Sequence, residues 1–279
     1  MDDDAAASVV RVRVPDMTSP RLGFVRTLLD LLLPRSCEGC GALAGPLCRP
    51  CLAALPVGLD AAPVVGRDGA WLPCASGLPY DETAKRLLLA YKEAGRHELA
   101  DVLGELLAHA VLGAALLAGA PRGSPLVLVP VPARARSRRS RGADTGLLLA
   151  RRAAAVLRTH GVPVLVRPLL SHAARSRDQV GLARDARRRN VTGTLVARSR
   201  RVAPAPSGRP VAGTGAPDGL VVLTDDIVTT GATLAEAARA LRLAGLAPAA
   251  AATVARTAPS HAPPGAKARP PLSPTGRGV

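Results

Sequence analysis

Residues 221–233 read Val-Val-Leu-Thr-Asp-Asp-Ile-Val-Thr-Thr-Gly-Ala-Thr. Three parts follow one another. Gly219 to Leu223 is a short apolar run of the kind that forms a buried parallel strand. Asp225 and Asp226 put two carboxylates where that strand is expected to end. Thr229, Thr230, Gly231, Ala232 and Thr233 then open a helix, whose Leu234, Ala237, Ala238 and Leu241 recur at i, i+3, i+4 and i+7.

That order suits one kind of ligand. A helix N-terminus offers free N–H groups and a partial positive charge, so it can hold a phosphate. Gly231 lets the backbone approach an anion closely, and the threonine hydroxyls add hydrogen bonds. The two carboxylates would repel a phosphate. Ionised, they are pure acceptors, and sugar hydroxyls match them. The stretch implies a phosphate beside a vicinal diol, as in a ribose 5-phosphate. The plain alternative is an ordinary strand–loop–helix with solvated acids.

Working outward, strands alternate with helices through residues 126–256. Leu126 to Val129 is a strand that Pro130 and Pro132 either end near residue 129 or confine to an exposed edge. Leu147 to Leu157 is helical, and Val162 to Val166 and Ala249 to Val254 are strands. This alternation predicts an α/β fold, a parallel sheet flanked by helices with right-handed crossovers. Ligands in such sheets bind beyond the carboxyl ends of the strands. Upstream, Ala84, Leu87, Leu88 and Tyr91 mark one helix, and Leu99, Val102, Leu103, Leu106, Leu107, Ala110 and Val111 a second, with Gly95 between them. Residues 52–75, rich in Pro, Gly and Ala, are expected to be a linker.

Cys37-x-x-Cys40 and Cys48-x-x-Cys51 form two knuckles separated by seven residues. Four thiolates so spaced can surround one Zn2+ tetrahedrally, and the absence of an open position makes the site structural. Redox pairs or free core cysteines are the alternatives. Cys74 stands apart and is expected to pack as a small apolar residue.

The chain carries a formal charge of +16, which favours anionic partners. Phe24, Trp71, Tyr80 and Tyr91 are its only aromatics, too few for a general single-strand stacking surface. The N-terminus opens with Asp2, Asp3 and Asp4 in place of a basic region, and Asp30 interrupts the leucines from Leu28 to Leu33. We therefore expect no secretory signal, no membrane span and a cytoplasmic location. The expected divisions are an N-terminal segment over 1–34 with a short amphipathic helix, a zinc-ribbon-like four-cysteine module over 35–56, and the α/β domain over 76–257. A flexible insertion is expected at 198–218 and a disordered tail over 258–279.

At residues 221–233 the chain resembles the type I phosphoribosyltransferases. Their motif for 5-phosphoribosyl-1-diphosphate (PRPP) runs through apolar residues, two acids, two apolar residues and Thr-Thr-Gly. The resemblance implies that Asp225 and Asp226 contact the ribose 2- and 3-hydroxyls at the catalytic centre. It implies that Thr229, Thr230, Gly231, Ala232 and Thr233 wrap the 5-phosphate. More of the chain resembles the ComF/ComFC family, named for competence in DNA uptake. The paired cysteine knuckles, Tyr91-Lys92 followed by Gly95, Val129-Pro-Val-Pro132 with Arg141-Gly142, Gln179-x-x-Leu182 with Arg187-x-x-Asn190, and the acid motif occur in the family's order. The likeness spans roughly residues 28–256. Ala143-Asp144-Thr145 departs from the family's Phe-Asn-Gln.

By this resemblance the segment after Pro132 is the pyrophosphate loop, with Arg134, Arg136, Arg138, Arg139 and Arg141 as candidate donors. Arg175, Arg177 and Gln179 fall where a mobile cover would sit. Mg2+ would bridge pyrophosphate oxygens. The implied protein is a phosphoribosyltransferase, a pentosyl-transferring glycosyltransferase, that binds PRPP or a related phosphorylated ribose. Its acceptor is open, and the family name links it to DNA uptake. A non-catalytic nucleic-acid-handling or regulatory protein of the same fold, partnered by single-stranded DNA or competence proteins, is the second class. A degenerate fold with an empty pocket is the third.

Overall fold

The computed structural model describes residues 36–66, 68–133, 144–173, 193–197 and 219–258. The expected N-terminal helix, the arginines from 134 to 141, the segment with Arg175, Arg177 and Gln179, the 198–218 insertion and residues 259–279 of the tail lie outside them.

Helix α1 (Arg49–Ala53) begins within the second cysteine knuckle, with Cys48 as its N-cap and Cys51 inside it. Short strands β1 (Asp60–Ala61), β2 (Val64–Val65) and β3 (Trp71–Leu72) lead to β4 (Cys74–Pro79). Helix α2 (Glu82–Lys92) is followed by a single 3-10 turn (His97–Leu99) and α3 (Ala100–Leu117). Then come β5 (Leu126–Pro130), α4 (Thr145–Thr159), β6 (Val164–Val166), β7 (Leu170–His172) and β8 (Leu195–Ala197). Strand β9 (Leu220–Val228), α5 (Ala232–Leu243) and β10 (Ala250–Arg256) complete the described chain.

The main sheet has six strands in the order β1-β4-β10-β9-β5-β6. All neighbours are parallel except β1 on β4. The protein is therefore mixed α/β with a mostly parallel sheet. Both faces are covered, which is why the central strands read as continuous apolar runs. Val222, Leu128 and Ala252 face the layer of α2, α3 and α4. Val221, Leu223, Val127 and Ala251 face α5. The segment His97–Leu117 is long and apolar enough to cross a membrane by length and composition alone. It runs through the first of these layers, with 67% of its apolar window buried inside the protein.

Helices α2 and α4 start where the sequence gives them caps. Asp81 accepts from the Ala84 N–H at 2.8 Å, and Asp144 accepts from the Leu147 N–H at 3.1 Å. Asp144 is part of the departure Ala143-Asp144-Thr145, and here it caps α4.

Two expectations need correction. Residues 52–75 are not a linker: β1, β2 and β3 lie there, and β4 begins at Cys74. Strand β4 is a core parallel strand, buried from Cys74 to Leu78. Its Ala, Ser and Gly lack the β-branched signature because α3 packs closely over it. Strand β5 is central, between β9 and β6, so of the two readings of its prolines the first holds: the strand ends at Pro130 and is no exposed edge. Strand β9 does not end at the acids but runs through them to Val228, because β10 continues beside it with Thr253 opposite Asp225 and Arg256 opposite Val228.

Candidate functional site at the carboxyl edge of the sheet

Strand β5 leads through α4 to β6 on one side, while β9 leads through α5 to β10 on the other. The chain thus departs in opposite directions from two adjacent strands, with its crossover helices on opposite faces. In an open α/β sheet this switch point leaves a crevice beyond the strand ends. Strand β5 stops pairing at Pro130 opposite Thr224, and the Val131 N–H still donates to the Thr224 carbonyl at 2.9 Å. Asp225 and Asp226 follow at once, so they lie just past the point where β9 loses its neighbour.

A cleft of about 200 Å3 opens there. Asp225 and Asp226 form one wall, Val131, Pro132 and Ala133 a second, Tyr91, Lys92 and Glu93 at the end of α2 a third, and Thr145, Gly146 and Leu149 of α4 a fourth. The buried Tyr91 hydroxyl donates to the Thr145 carbonyl at 2.7 Å and ties α2 to the start of α4. Burial raises the Tyr91 phenol beyond any working pH, so it stays a neutral donor. The His172 Nε2–H donates to the Pro132 carbonyl at 3.1 Å, fixing the first residues of the segment after β5.

The acids differ from each other. Asp226 is buried, and Lys92 Nζ makes an ion pair with its Oδ2. Asp225 is half-buried, and its Oδ1 accepts from the Asp226 N–H at 2.9 Å. Burial pushes the Asp225 carboxyl up to about 7, and the nearby Lys92 charge offsets part of that rise. Sequence reasoning placed both acids here but did not single out Lys92, Tyr91, Thr145 or Gly146 as site residues. Only the last-turn position of Lys92 on an amphipathic helix hinted that it stands at an element's end.

Thr229, Thr230, Gly231, Ala232 and Thr233 form the turn from β9 into α5 but do not line this cleft. Thr229, Thr230, Ala232 and Thr233 are exposed at the same carboxyl edge. Thr230 Oγ1 accepts from the Ala232 N–H at 3.4 Å, a long bond that leaves the helix start open to a ligand. Gly231 has φ +74°, and a Cβ there would lie 2.9 Å from Val64 Cγ1. Backbone conformation and contact with β2 both demand glycine, a reason beyond the anion approach read from the sequence. Gly231→Ala is expected to lower stability by about 1–2 kcal/mol, read as a fall in Tm. Adding Val64→Ala should relieve the contact and leave the φ cost, so the double variant should recover only part.

The second cluster is the cysteine module. One ligand atom from each of Cys37, Cys40, Cys48 and Cys51 lies within 4.8 Å of the others, a donor set that can hold a metal and suits structural zinc. Backbone N–H groups of Cys48 and Gly39 donate to Cys37 Sγ at 3.2 and 3.3 Å. Burial alone would raise the Cys37 thiol, but these bonds together bring it down to about 6. The Cys51 thiol donates to the Cys48 and Cys40 sulfurs, and these bonds hold it up to about 12. The cluster thus keeps a thiolate and shares protons that a metal would displace. Gly39 leaves room for Cys51, since a Cβ would fall 2.6 Å from its Sγ. Among the described residues of this module there are turns and α1 but no strand, so it is not ribbon-like. Pro50 in the first turn of α1 favours a helix running through the second knuckle.

The module is fastened to the cleft wall. Arg86 of α2 donates to the Gly39 carbonyl at 3.1 Å. Arg96 pairs with Glu38 and donates to the Ser36 carbonyl at 3.1 Å. Leu47, Leu52 and Leu55 join the core beneath α2 and α3. Cys74 is fully buried, as a packed apolar residue would be.

No family model matches this chain, and no curated protein matches it.

Proposed function

We propose that the protein is a type I phosphoribosyltransferase-like protein of the ComF/ComFC kind that binds PRPP with Mg2+ at the Asp225–Asp226 cleft. The observation that carries this reading is the acid pair at the switch point between β5 and β9, followed at the same edge by the Thr-Thr-Gly turn into α5, whose threonines are exposed. Asp225 and Asp226 would accept from the ribose hydroxyls. The N–H groups of residues 231–233 and the hydroxyls of Thr229, Thr230 and Thr233 would take the 5-phosphate.

The diphosphate would point toward the segment beginning at Ala133, where Arg134 to Arg141 supply cations. The described cleft offers carboxylates, carbonyls and the Thr145 hydroxyl, the oxygen donors that Mg2+ prefers. Mg2+ would neutralise diphosphate charge. The chain's own residues would fix the ribose and exclude water. Zinc in the Cys37, Cys40, Cys48 and Cys51 cluster would be structural. The acceptor of the phosphoribosyl group is open, and a part in DNA uptake follows from the family likeness alone.

The test is calorimetric titration of PRPP and Mg2+ into the zinc-loaded protein, with Asp225→Asn/Asp226→Asn as control. Saturable binding that weakens at least ~100-fold in the double variant is the expected result. A wild-type protein that takes up no PRPP would sink the transferase reading and turn attention to single-stranded DNA.

A further inference from the structure

Lys92 holds Asp226 in an ion pair across the cleft. The diol of a bound ribose would need that same carboxylate. Asp226 is buried at 7% exposure, and an ionised carboxylate so placed is costly without a cation or hydrogen-bond donors. The lysine is less enclosed, with 30% of its side chain exposed on a four-carbon stem at the last residue of α2. Two hydroxyl donors can replace an ammonium at Asp226, whereas no other described cation lines the cleft. Its described charges are Asp225, Asp226, Glu93 and Lys92, and the C-terminus of α2 adds a partial negative charge. Among the described lining residues, Lys92 is the one cation that a polyanion entering here would meet.

The geometry points to Lys92 as an exchangeable cation: it neutralises Asp226 in the free protein, yields that carboxylate to the ribose hydroxyls, and then binds the 1-diphosphate. This rests on the PRPP reading of the cleft. It goes further in naming the residue that makes the site select a ribose carrying a 1-diphosphate over one without it. The position supports the direction of the swing, because Val131, Pro132 and Ala133, which lead into the segment assigned to the diphosphate, line the same cleft. The exchange is concerted in charge. Asp226 passes from an ion pair to neutral donors, and the released ammonium meets new negative charge in the same step. A tethered cation already present spares the ligand from recruiting one from solution.

Titration of PRPP with Mg2+ and, separately, of ribose 5-phosphate into wild type, Lys92→Met and Lys92→Arg tests this. In Lys92→Met, PRPP should bind at least ~10-fold more weakly, while ribose 5-phosphate binds as well as to wild type or better, its rival for Asp226 being gone. Lys92→Arg should recover part of the PRPP affinity. Equal loss of both ligands in Lys92→Met would overturn the exchange, because the lysine would then be supporting the diol site itself. Unchanged PRPP affinity would overturn it as well. If wild type binds neither ligand, the PRPP reading falls and the exchange with it. Wild-type binding without discrimination in the variants removes the exchange alone. Circular dichroism and Tm of each variant separate loss of fold from loss of binding, and Lys92→Met/Asp226→Asn, which leaves no unpaired carboxylate at position 226, is the fallback should Lys92→Met fail to fold. In that background PRPP should bind less well than to Asp226→Asn alone, and equal affinity there would overturn the exchange.

Discussion

Chelating the metal from the four-cysteine module, or replacing Cys48 with Ser, should unfold residues 36–56 and loosen α2 while leaving the parallel sheet in place. The module has no strand of its own and one five-residue helix among its described residues. Too few residues are present to bury a core, so the metal would supply most of its folding free energy, on the order of 10 kcal/mol for a structural zinc site. The effect should travel, because the module's fastenings are specific. Arg86 and Arg96 reach the Gly39 and Ser36 carbonyls, which stay in place only while the knuckles hold their shape. Freed of these, α2 would be held by its buried face and by the Tyr91 hydroxyl.

Hydrogen exchange is the direct readout. Amides of residues 36–56 should lose protection on chelation, those at the α2 end should lose part of theirs, and those of β9 and β10 should keep it. A Cys48→Ser protein with unchanged protection over 36–56 would remove the metal from the account. Acid should mimic the chelator, since metal binding must displace protons from the thiols and Cys37 is held at about 6.

How much of this was legible in the chain varies with the physics of each part. The acid pair could be placed toward the carboxyl end of a strand from residues 221–233, because an apolar run, two charges and a helix period occur within one short stretch, though the strand's run on to Val228 could not. The switch point could not, since it depends on which strands neighbour β5 and β9, and that is set by pairings far apart in sequence. Strand β4 was hidden because Cys74 to Leu78 contains small residues suited to close contact with α3 and carries no strand period. Lys92 was visible only within the Tyr91-Lys92 block of the family likeness and near the end of a helix, with no role attached. Its link to Asp226 joins residues distant in sequence and exists only once α2 docks beside β9. The cysteine cluster was legible in full because two knuckles are short-range, whereas the strandless build of its module was not.

The sharpest consequence falls on Asp225. Replacing it with Asn should destroy ligand binding and make the protein more stable, both by the same cause. Burial moves its carboxyl from 3.8 up to about 7 in the folded protein, against a partial offset from Lys92. An unfolded chain would return it to the ordinary value. The folded state therefore holds a proton more tightly, and between about pH 4 and pH 7 it carries more protons than the unfolded state. Stability contributed by the neutral acid is fully present below that window and declines as pH rises through it. Above about pH 7 the ionised carboxylate is a standing cost, one that the proposed ribose site would require because sugar hydroxyls need an acceptor. Asn removes the charge and keeps the shape. At about pH 8 its gain should be about 1 kcal/mol or more, roughly 2–4 °C in Tm, shrinking to nothing near pH 4. Binding runs the other way. Wild-type affinity for PRPP should fall as pH drops below about 7, by up to about tenfold per unit, as the carboxylate takes up its proton. PRPP titrates too, so the Asp225→Asn profile is the reference, weak at every pH and lacking that added slope. Tm and calorimetric affinity of both proteins from about pH 5 to 8 decide the matter. If Asp225→Asn melts lower than wild type at the upper end of that range, or the two affinity profiles run parallel, then Asp225 is not the strained, proton-sensitive acceptor described here.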